Sequence, residues 1–175
     1  MEFSSERTLV RSPKITLNLY IISARLVILA VPTGCNIHRI NHQKRNIMDT
    51  NSNSLNWFEL PATDIARAKN FYEAIFSVQM VDLGEMMGMK MVGFPSVPGN
   101  GKASGGLAQS QMHTPSQSGT IVYLNANPSI QEVLDRIEPA GGKVVMPRTE
   151  ISPEIGVMAF FVDTEGNRVG LHAQQ

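Results

Sequence analysis

The chain has 175 residues, of which 42% are hydrophobic and 17% are charged, and its formal net charge is zero. This length suffices for one ordinary hydrophobic core, so we expect one domain preceded by an N-terminal arm. The charge is unevenly distributed, because residues 1–47 carry a formal charge of +5 and residues 48–175 carry −5. An acidic domain repels phosphate groups, which excludes nucleic acid as its expected partner.

The arm, residues 1–47, has three interpretations. The first is an export or lipoprotein signal, in which residues 15–31 form the apolar core and Cys35 follows as the modified residue. Arg25 argues against this signal, and more strongly against a membrane span, since a charge at a membrane centre costs about 2.5–3.5 kcal/mol. In the second and favoured interpretation, translation begins at Met48 and the protein is cytoplasmic, with no membrane contact. The third is a basic interaction arm.

Cys35 is the only cysteine of the chain. The predicted domain, residues 48–175, therefore has no disulfide, no thiol nucleophile and no cysteine metal ligand of its own.

The first half of the domain is predicted as a strand, a helix and three further strands. Residues 55–60 form the first strand, and Pro61 prevents its continuation as a central strand. Thr63 or Asp64 caps the helix that follows. Its apolar residues recur at helical spacing: Ile65, Ala68, Tyr72, Ile75 and Phe76. The remaining strands are predicted at residues 78–83, 86–94 and 105–109.

The second half repeats this order about 64 positions later. A strand at residues 120–125 leads into a helix that begins at Asn127 or Pro128 and ends at Gly141-Gly142. The offset pairs four positions of the two halves: Trp57 with Ile121, Glu59 with Tyr123, Gly106 with Gly170, and Ala108 with His172.

The end of the chain is predicted as a short strand, a connection and a hairpin. Residues 143–146 form the strand, and Pro147 and Pro153 mark the connection. Residues 159–162 and 168–172 form the hairpin, with Gly166 at a turn position that needs a positive φ.

Three segments, residues 56–76, 137–144 and 160–168, resemble the vicinal oxygen chelate superfamily, which includes glyoxalase I, extradiol dioxygenases and bleomycin resistance proteins. The resemblance covers about residues 55–173. It implies an α+β fold of two paired βαβββ modules, at about residues 55–110 and 119–173. In that fold the strands form an open, cup-shaped mixed sheet around a small-molecule site, with one helix per module on the outside.

The resemblance also implies where a metal would bind, because catalytic members hold a divalent ion with His and Glu from both modules. The matching positions in this chain are Trp57, Gly106, Ile121 and Gly170. None has a carboxylate or imidazole, and a divalent ion needs several such ligands. We therefore expect no metal and no other cofactor.

Alternation along strands predicts which side chains face the cup instead. Residues two apart share a face, so Glu59, Tyr123 and His172 should converge beside Trp57. Such a group could bind a small organic molecule by stacking and hydrogen bonds. It could also transfer protons, with Glu59 or His172 as the base and Tyr123 as the donor.

Each of these residues also has a structural interpretation. Glu59 could pair with a surface Lys or Arg, and His172 lies near a C-terminus where fraying is common. Tyr123 and Trp57 could be core aromatics with a satisfied polar tip. His113, in the linker between the halves, is predicted to be a solvated loop residue.

Five methionines cluster around the predicted second and third strands: Met80, Met86, Met87, Met89 and Met91. Because methionine adapts to irregular spaces, we expect these residues to fill the core. The alternatives are a pliable pocket and the seam of a homodimer, which we expect this chain to form.

Two classes of function remain open. One is a glyoxalase-related lyase or isomerase, similar to lactoylglutathione lyase, that acts on a small carbonyl or hydroxylated substrate. The other is a metal-free binding or sequestration protein of the bleomycin-resistance type. A weaker third class is a surface lipoprotein that begins at Cys35.

Overall fold

The computed structural model describes Thr50 and residues 52–174 in full, and residues 15–22 and 25–32 by their backbone alone. The chain divides into two compact units, Met1–Asn46 and Ile47–Gln175. In the first unit β1 (Ile15–Ile22) pairs with β2 (Arg25–Pro32) in an antiparallel hairpin. Cys35 and Met48 lie outside the described residues. In the described part of the chain, no helix is long and apolar enough to cross a membrane.

The second unit begins with a strand, a helix and three strands, as predicted. These elements are β3 (Trp57–Pro61), α1 (Ile65–Phe76), β4 (Val81–Met86), β5 (Met89–Gly93) and β6 (Ser104–Gln109). The strands form one sheet in the order β3-β6-β5-β4. β3 runs parallel to β6, and the other pairs are antiparallel.

The same order follows a second time. The elements are β7 (Tyr123–Asn125), α2 (Ile130–Ile137), β8 (Lys143–Ser152), β9 (Gly156–Val162) and β10 (Arg168–Ala173). They form a sheet in the order β7-β10-β9-β8, with β7 parallel to β10. The predicted α+β fold of two βαβββ modules is thus confirmed.

The strand register confirms the predicted offset between the halves. Glu59 lies opposite Gly106 in the first sheet, and Tyr123 lies opposite Gly170 in the second. In each module the first strand pairs in parallel with the last strand, and these residues face each other across that pairing. Glu59 is therefore equivalent in position to Tyr123, and Gly106 to Gly170.

The core forms between the helices and one face of each sheet. Phe71 and Tyr72 of α1 are fully buried and touch Phe161 of β9, with ring centroids 5.9 and 6.5 Å from its ring. The opposite, helix-free face of each sheet is called here the open face. It carries exposed apolar side chains: Trp57, Val81, Leu83 and Tyr123. The hydrophobic core therefore covers only one face of each sheet.

The two helices begin for local reasons. Asp64 caps α1 as predicted, because its Oδ1 accepts the backbone N–H groups of Ala66 and Arg67, both at 3.0 Å. The predicted start of α2 at Asn127 or Pro128 is wrong. Ser129 is the cap, since its Oγ accepts the Glu132 N–H, and the helix begins one residue later.

The predicted end of α2 and the predicted proline connection are also wrong. α2 ends at Ile137, and a turn rather than a helix carries the chain to Gly141. β8 continues through Pro147 as far as Ser152. It is an edge strand with shifted register around Pro147, so the missing N–H of proline costs no hydrogen bond to a central neighbour.

The methionines do not fill the core as expected. Met80 is buried, but Met86 and Met87 at the β4–β5 turn are 65% and 100% exposed. Met89 and Met91 are half-buried. The prediction fails at the turn because β4 is an edge strand with every residue exposed.

Candidate functional site

A cleft of about 990 Å³ lies beside β3 and β7. Each of these strands is one of the two edge strands of its sheet. Part of its lining is apolar: Phe58, Phe76 and Phe94. The ring of Phe94 contacts those of Phe58 and Phe76, with ring centroids 5.9 and 6.3 Å apart. Its volume falls in the range of small-molecule sites, which are mainly apolar clefts with a few polar groups. The polar lining includes Glu59, Tyr123, Asn125, Asn127, Asn167 and Arg168.

Glu59 is held by two side chains that donate to its carboxylate. Trp57 Nε1–H donates to Oε1 at 3.2 Å, and His113 Nε2 lies 2.8 Å from Oε2. The prediction that Trp57 and Glu59 share a face is therefore confirmed. The alternative that Glu59 pairs with a surface Lys or Arg is wrong, since the described side chains that contact its carboxylate are those of Trp57 and His113.

His113 is not the solvated residue that the sequence predicts. Its side chain is only 14% exposed, and Nδ1 lies 2.7 Å from Ser110 Oγ. Ser110 Oγ also accepts the Met112 N–H. Because a carboxylate only accepts hydrogen bonds, His113 Nε2 carries the hydrogen of its contact with Glu59. Ser110 and His113 thus fix the orientation of the carboxylate.

Tyr123 is an exposed aromatic residue of the open face and not a core residue. The residue is 47% exposed, and its ring contacts that of Phe160, with ring centroids 5.6 Å apart. The ring occupies the space above Gly170, where an added Cβ would lie 2.6 Å from Tyr123 Cδ1. A glycine on β10 therefore makes room for the phenol beside the cleft.

His172 lies apart from Glu59 and does not line the cleft. Its Nε2 bonds the Ile155 carbonyl at 2.8 Å, and its backbone carbonyl accepts the Ala126 N–H. The fraying alternative is wrong, because β10 continues to Ala173. Of the four predicted ligand-binding residues, the cleft unites Glu59 with Tyr123, and Trp57 reaches it through its bond to Glu59.

The residues at the family's metal positions do not fit that ligand set. The side chains of Trp57 and Ile121 have no metal-binding atom, and Gly106 and Gly170 have no side chain. An added Cβ at Gly106 would lie 2.4 Å from the Val92 carbonyl oxygen, and Gly170 is covered by Tyr123. Within residues 52–174, no three His, Cys, Asp or Glu side chains are grouped to hold an ion.

The turn between β9 and β10 secures the start of α1. Glu165 Oε2 accepts the N–H groups of Thr63 and Asp64 at 2.9 and 3.0 Å, and Arg67 Nε donates to Oε1 at 2.8 Å. Burial of Glu165 raises its pKa, but these bonds outweigh burial and lower the pKa to about 2. The sequence marks this segment as a turn and gives no sign of this contact.

Asp163 and Asn167 complete the connection to β3. Tyr72 Oη donates to Asp163 Oδ2 at 2.8 Å, and burial raises the pKa of Tyr72 well above its ordinary value. Asn167 Nδ2 donates to the Pro61 carbonyl at 2.7 Å. These bonds link the hairpin of the second module to β3, which carries Glu59.

The paired modules agree with a comparison against protein families. Residues 54–171 match the model of the Glyoxalase/Bleomycin resistance protein/Dioxygenase superfamily. The chain belongs to this superfamily. Its glyoxalase-like domain thus covers almost all of the two modules, from before β3 into β10.

Individual members of the superfamily are similar over the same region. The putative glyoxylase CFP32 of Mycobacterium tuberculosis is 31% identical over 118 residues, which cover 66% of this chain and 44% of that protein. The chain thus spans less than half the length of this relative.

Two solved structures share the fold. Glyoxalase I from Zea mays has a TM-score of 0.55 at 15% identity, over 69% of this chain and 44% of that one. TnmS3, an antibiotic binding protein from Streptomyces sp. CB03234, has a TM-score of 0.53 at 20% identity, over 70% and 97% of the two chains.

Proposed function

We propose that this protein binds a small organic molecule in the cleft beside β3 and β7, without a resident metal ion. The observation that carries the proposal is the pairing of an aromatic lining with an oriented carboxylate, Glu59, in one cleft. The neighbour TnmS3 is described as an antibiotic binding protein, which supports binding rather than turnover as the role of such a domain.

The lining provides a division of roles. Phe58, Phe76 and Phe94 offer an apolar surface for the body of the ligand. Glu59 and Tyr123 offer an acceptor and a donor that orient it. A binding protein needs no further chemistry, and a metal is not required for these contacts.

A glyoxalase-related lyase or isomerase is the second candidate, and one observation favours it. Glu59 has a hydrogen-bonded His113 behind it, as a general base often has an orienting partner. In this role Glu59 would accept a proton from a small carbonyl compound, and Tyr123 would donate one. His172, bonded to Ile155, is the less suitable base.

We also propose that two copies of the chain form a homodimer through the edge strand β4, which does not line the cleft. Val81 and Leu83 on this strand are 50% and 51% exposed. Exposed apolar groups of this kind mark association surfaces. Light scattering should give twice the monomer mass, and Leu83→Glu should reduce it to that of the monomer. A monomeric wild type would contradict the dimer.

A thermal-shift screen of small organic compounds tests the binding function. A compound that occupies the cleft should raise the melting temperature of the wild type, because it binds only the folded state. Glu59→Gln should reduce that shift, whereas Glu150→Gln, an exposed carboxylate on β8, should not. Equal shifts in all three proteins would place the ligand outside the cleft and contradict the proposal.

A further inference from the structure

We infer that the ligand carries a positively charged nitrogen, which Glu59 and Trp57 recognise together. This inference rests on the proposed binding function and names the chemical class of ligand for the same cleft. It depends on how Glu59 differs from the other carboxylates, on its free acceptor positions, and on the adjacent indole.

Glu59 differs from the other carboxylates of the second unit that form ion pairs. Among the described residues, three of these pair with Lys or Arg: Glu73 with Lys69, Glu132 with Arg136, and Glu165 with Arg67. Within residues 52–174, Glu59 contacts the indole N–H of Trp57 and the imidazole of His113. It is thus the one carboxylate in these described ion pairs whose partner is neither Lys nor Arg.

The carboxylate keeps room for a further donor. Each of its oxygens can accept two hydrogen bonds, and each receives one from Trp57 or His113. The side chain is 32% exposed and lines the cleft. An ammonium group brings up to three donors and a full positive charge, and charge-assisted hydrogen bonds are the stronger kind.

Trp57 supplies the second recognition element. Trp57 is 40% exposed on the same face as Glu59, and its hydrogen bond to Oε1 fixes the indole beside the carboxylate. A cation close to the face of an indole is attracted by the ring electrons, and tryptophan is the best aromatic partner for this contact. A carboxylate and an indole side by side thus favour one class of group.

Charge elsewhere in the cleft sets the direction of the ligand. Arg168 lines the cleft from β10, in the other sheet, and has no ion-pair partner in the described part of the chain. It repels a cation and so directs the charged nitrogen toward Glu59. His113 acts here as a positioning residue, because it holds Oε2 and does not itself line the cleft.

Titration with benzylammonium and its neutral analogue benzyl alcohol tests the inference. Trp57 is the only tryptophan, so the single indole N–H resonance of the labelled full-length chain reports directly on this position. In the wild type, benzylammonium should shift this resonance saturably and bind at least about tenfold more tightly than benzyl alcohol. The two probes share the ring, so their difference isolates the charge.

Variants separate the contributions. Glu59→Gln should abolish the preference for benzylammonium, and Glu150→Gln should retain it. Trp57→Leu, followed by calorimetry, should weaken the binding of benzyltrimethylammonium, which cannot donate hydrogen bonds. The amide spectrum of each variant checks its fold.

Different outcomes would contradict the charged nitrogen and the binding in the cleft. Equal affinity of the wild type for both probes would contradict the inference that the cleft recognises a charged nitrogen. It would not contradict the binding of small molecules in the cleft. If neither probe shifted resonances of Trp57, Phe58 or Tyr123, the cleft itself would be contradicted as the binding site.

Discussion

Glu59 shows what a sequence can and cannot predict about one residue. Strand alternation placed it on the face of Trp57, and the hydrogen bond between the two side chains agrees. The sequence did not predict its partner His113, because this residue lies 54 residues further along the chain, in a polar linker with no periodic pattern. Local patterns determine the face of a strand, but a contact between a loop and a strand depends on the whole fold.

Replacing Glu165 by glutamine should destabilise the folded chain. The side chain is fully buried, and its two oxygens accept bonds from Thr63, Asp64 and Arg67. Glutamine keeps one acceptor but loses the charge, so we expect the free energy of unfolding to fall by on the order of 2–3 kcal/mol. Urea denaturation measures the change. Glu150→Gln should stay within about 0.5 kcal/mol of the wild type, and an equal loss in both variants would contradict the account.

The same carboxyl predicts a dependence of stability on pH. The pKa of Glu165 is about 2 in the folded chain, below its ordinary value of 4.5. Its contribution is therefore complete above the unfolded pKa and is lost as the pH falls toward the folded pKa. Between pH 5 and about 2.5 the wild type should lose more unfolding free energy than Glu165→Gln. Parallel curves for the two proteins would refute a lowered pKa.

At the scale of the elements, α1 was predictable and α2 and β8 were only partly so. α1 has a strong cap in Asp64 and an apolar stripe of regular spacing. Around α2, Asn127, Pro128 and Ser129 all favour a helix start, and the Ser129 bond to Glu132 decides between them. For β8, the two prolines indicated a connection, although its place at the sheet edge tolerates Pro147.

Two glycines of the open faces should respond differently to alanine. At Gly106 on β6 the new Cβ would meet the backbone oxygen of Val92 at 2.4 Å, and a backbone cannot move aside without disturbing β5. At Gly170 on β10 it would meet the exposed side chain of Tyr123, which can rotate.

We therefore expect Gly106→Ala to lower the unfolding free energy by about 1–3 kcal/mol, and Gly170→Ala to cost less. Chemical denaturation measures both. Gly170→Ala should instead move Tyr123 and alter ligand binding in the cleft. A larger loss of stability for Gly170→Ala than for Gly106→Ala would contradict the expectation that the Tyr123 side chain moves aside more easily than the Val92 backbone.

At the scale of the molecule, the repeated order of elements and the three motif segments predicted the family and the paired modules. The ligand was not predictable, because the cleft combines Phe58 and Glu59 of the first module with Tyr123 and Arg168 of the second. Such a combination arises only when the two modules are folded together. The sequence did show which residues occupy the four positions where catalytic members of the superfamily hold their metal.

We propose that this domain keeps the modules of its superfamily but binds an organic molecule without a resident ion. Trp57, Gly106, Ile121 and Gly170 lie at the four metal positions, and none has a metal-binding side chain. In the decisive experiment, the purified full-length chain is incubated with zinc, nickel, manganese and magnesium salts, and free ions are then removed. Elemental analysis measures whether the chain retains a divalent ion. We predict no stoichiometric divalent ion, and one ion retained per chain would contradict the account.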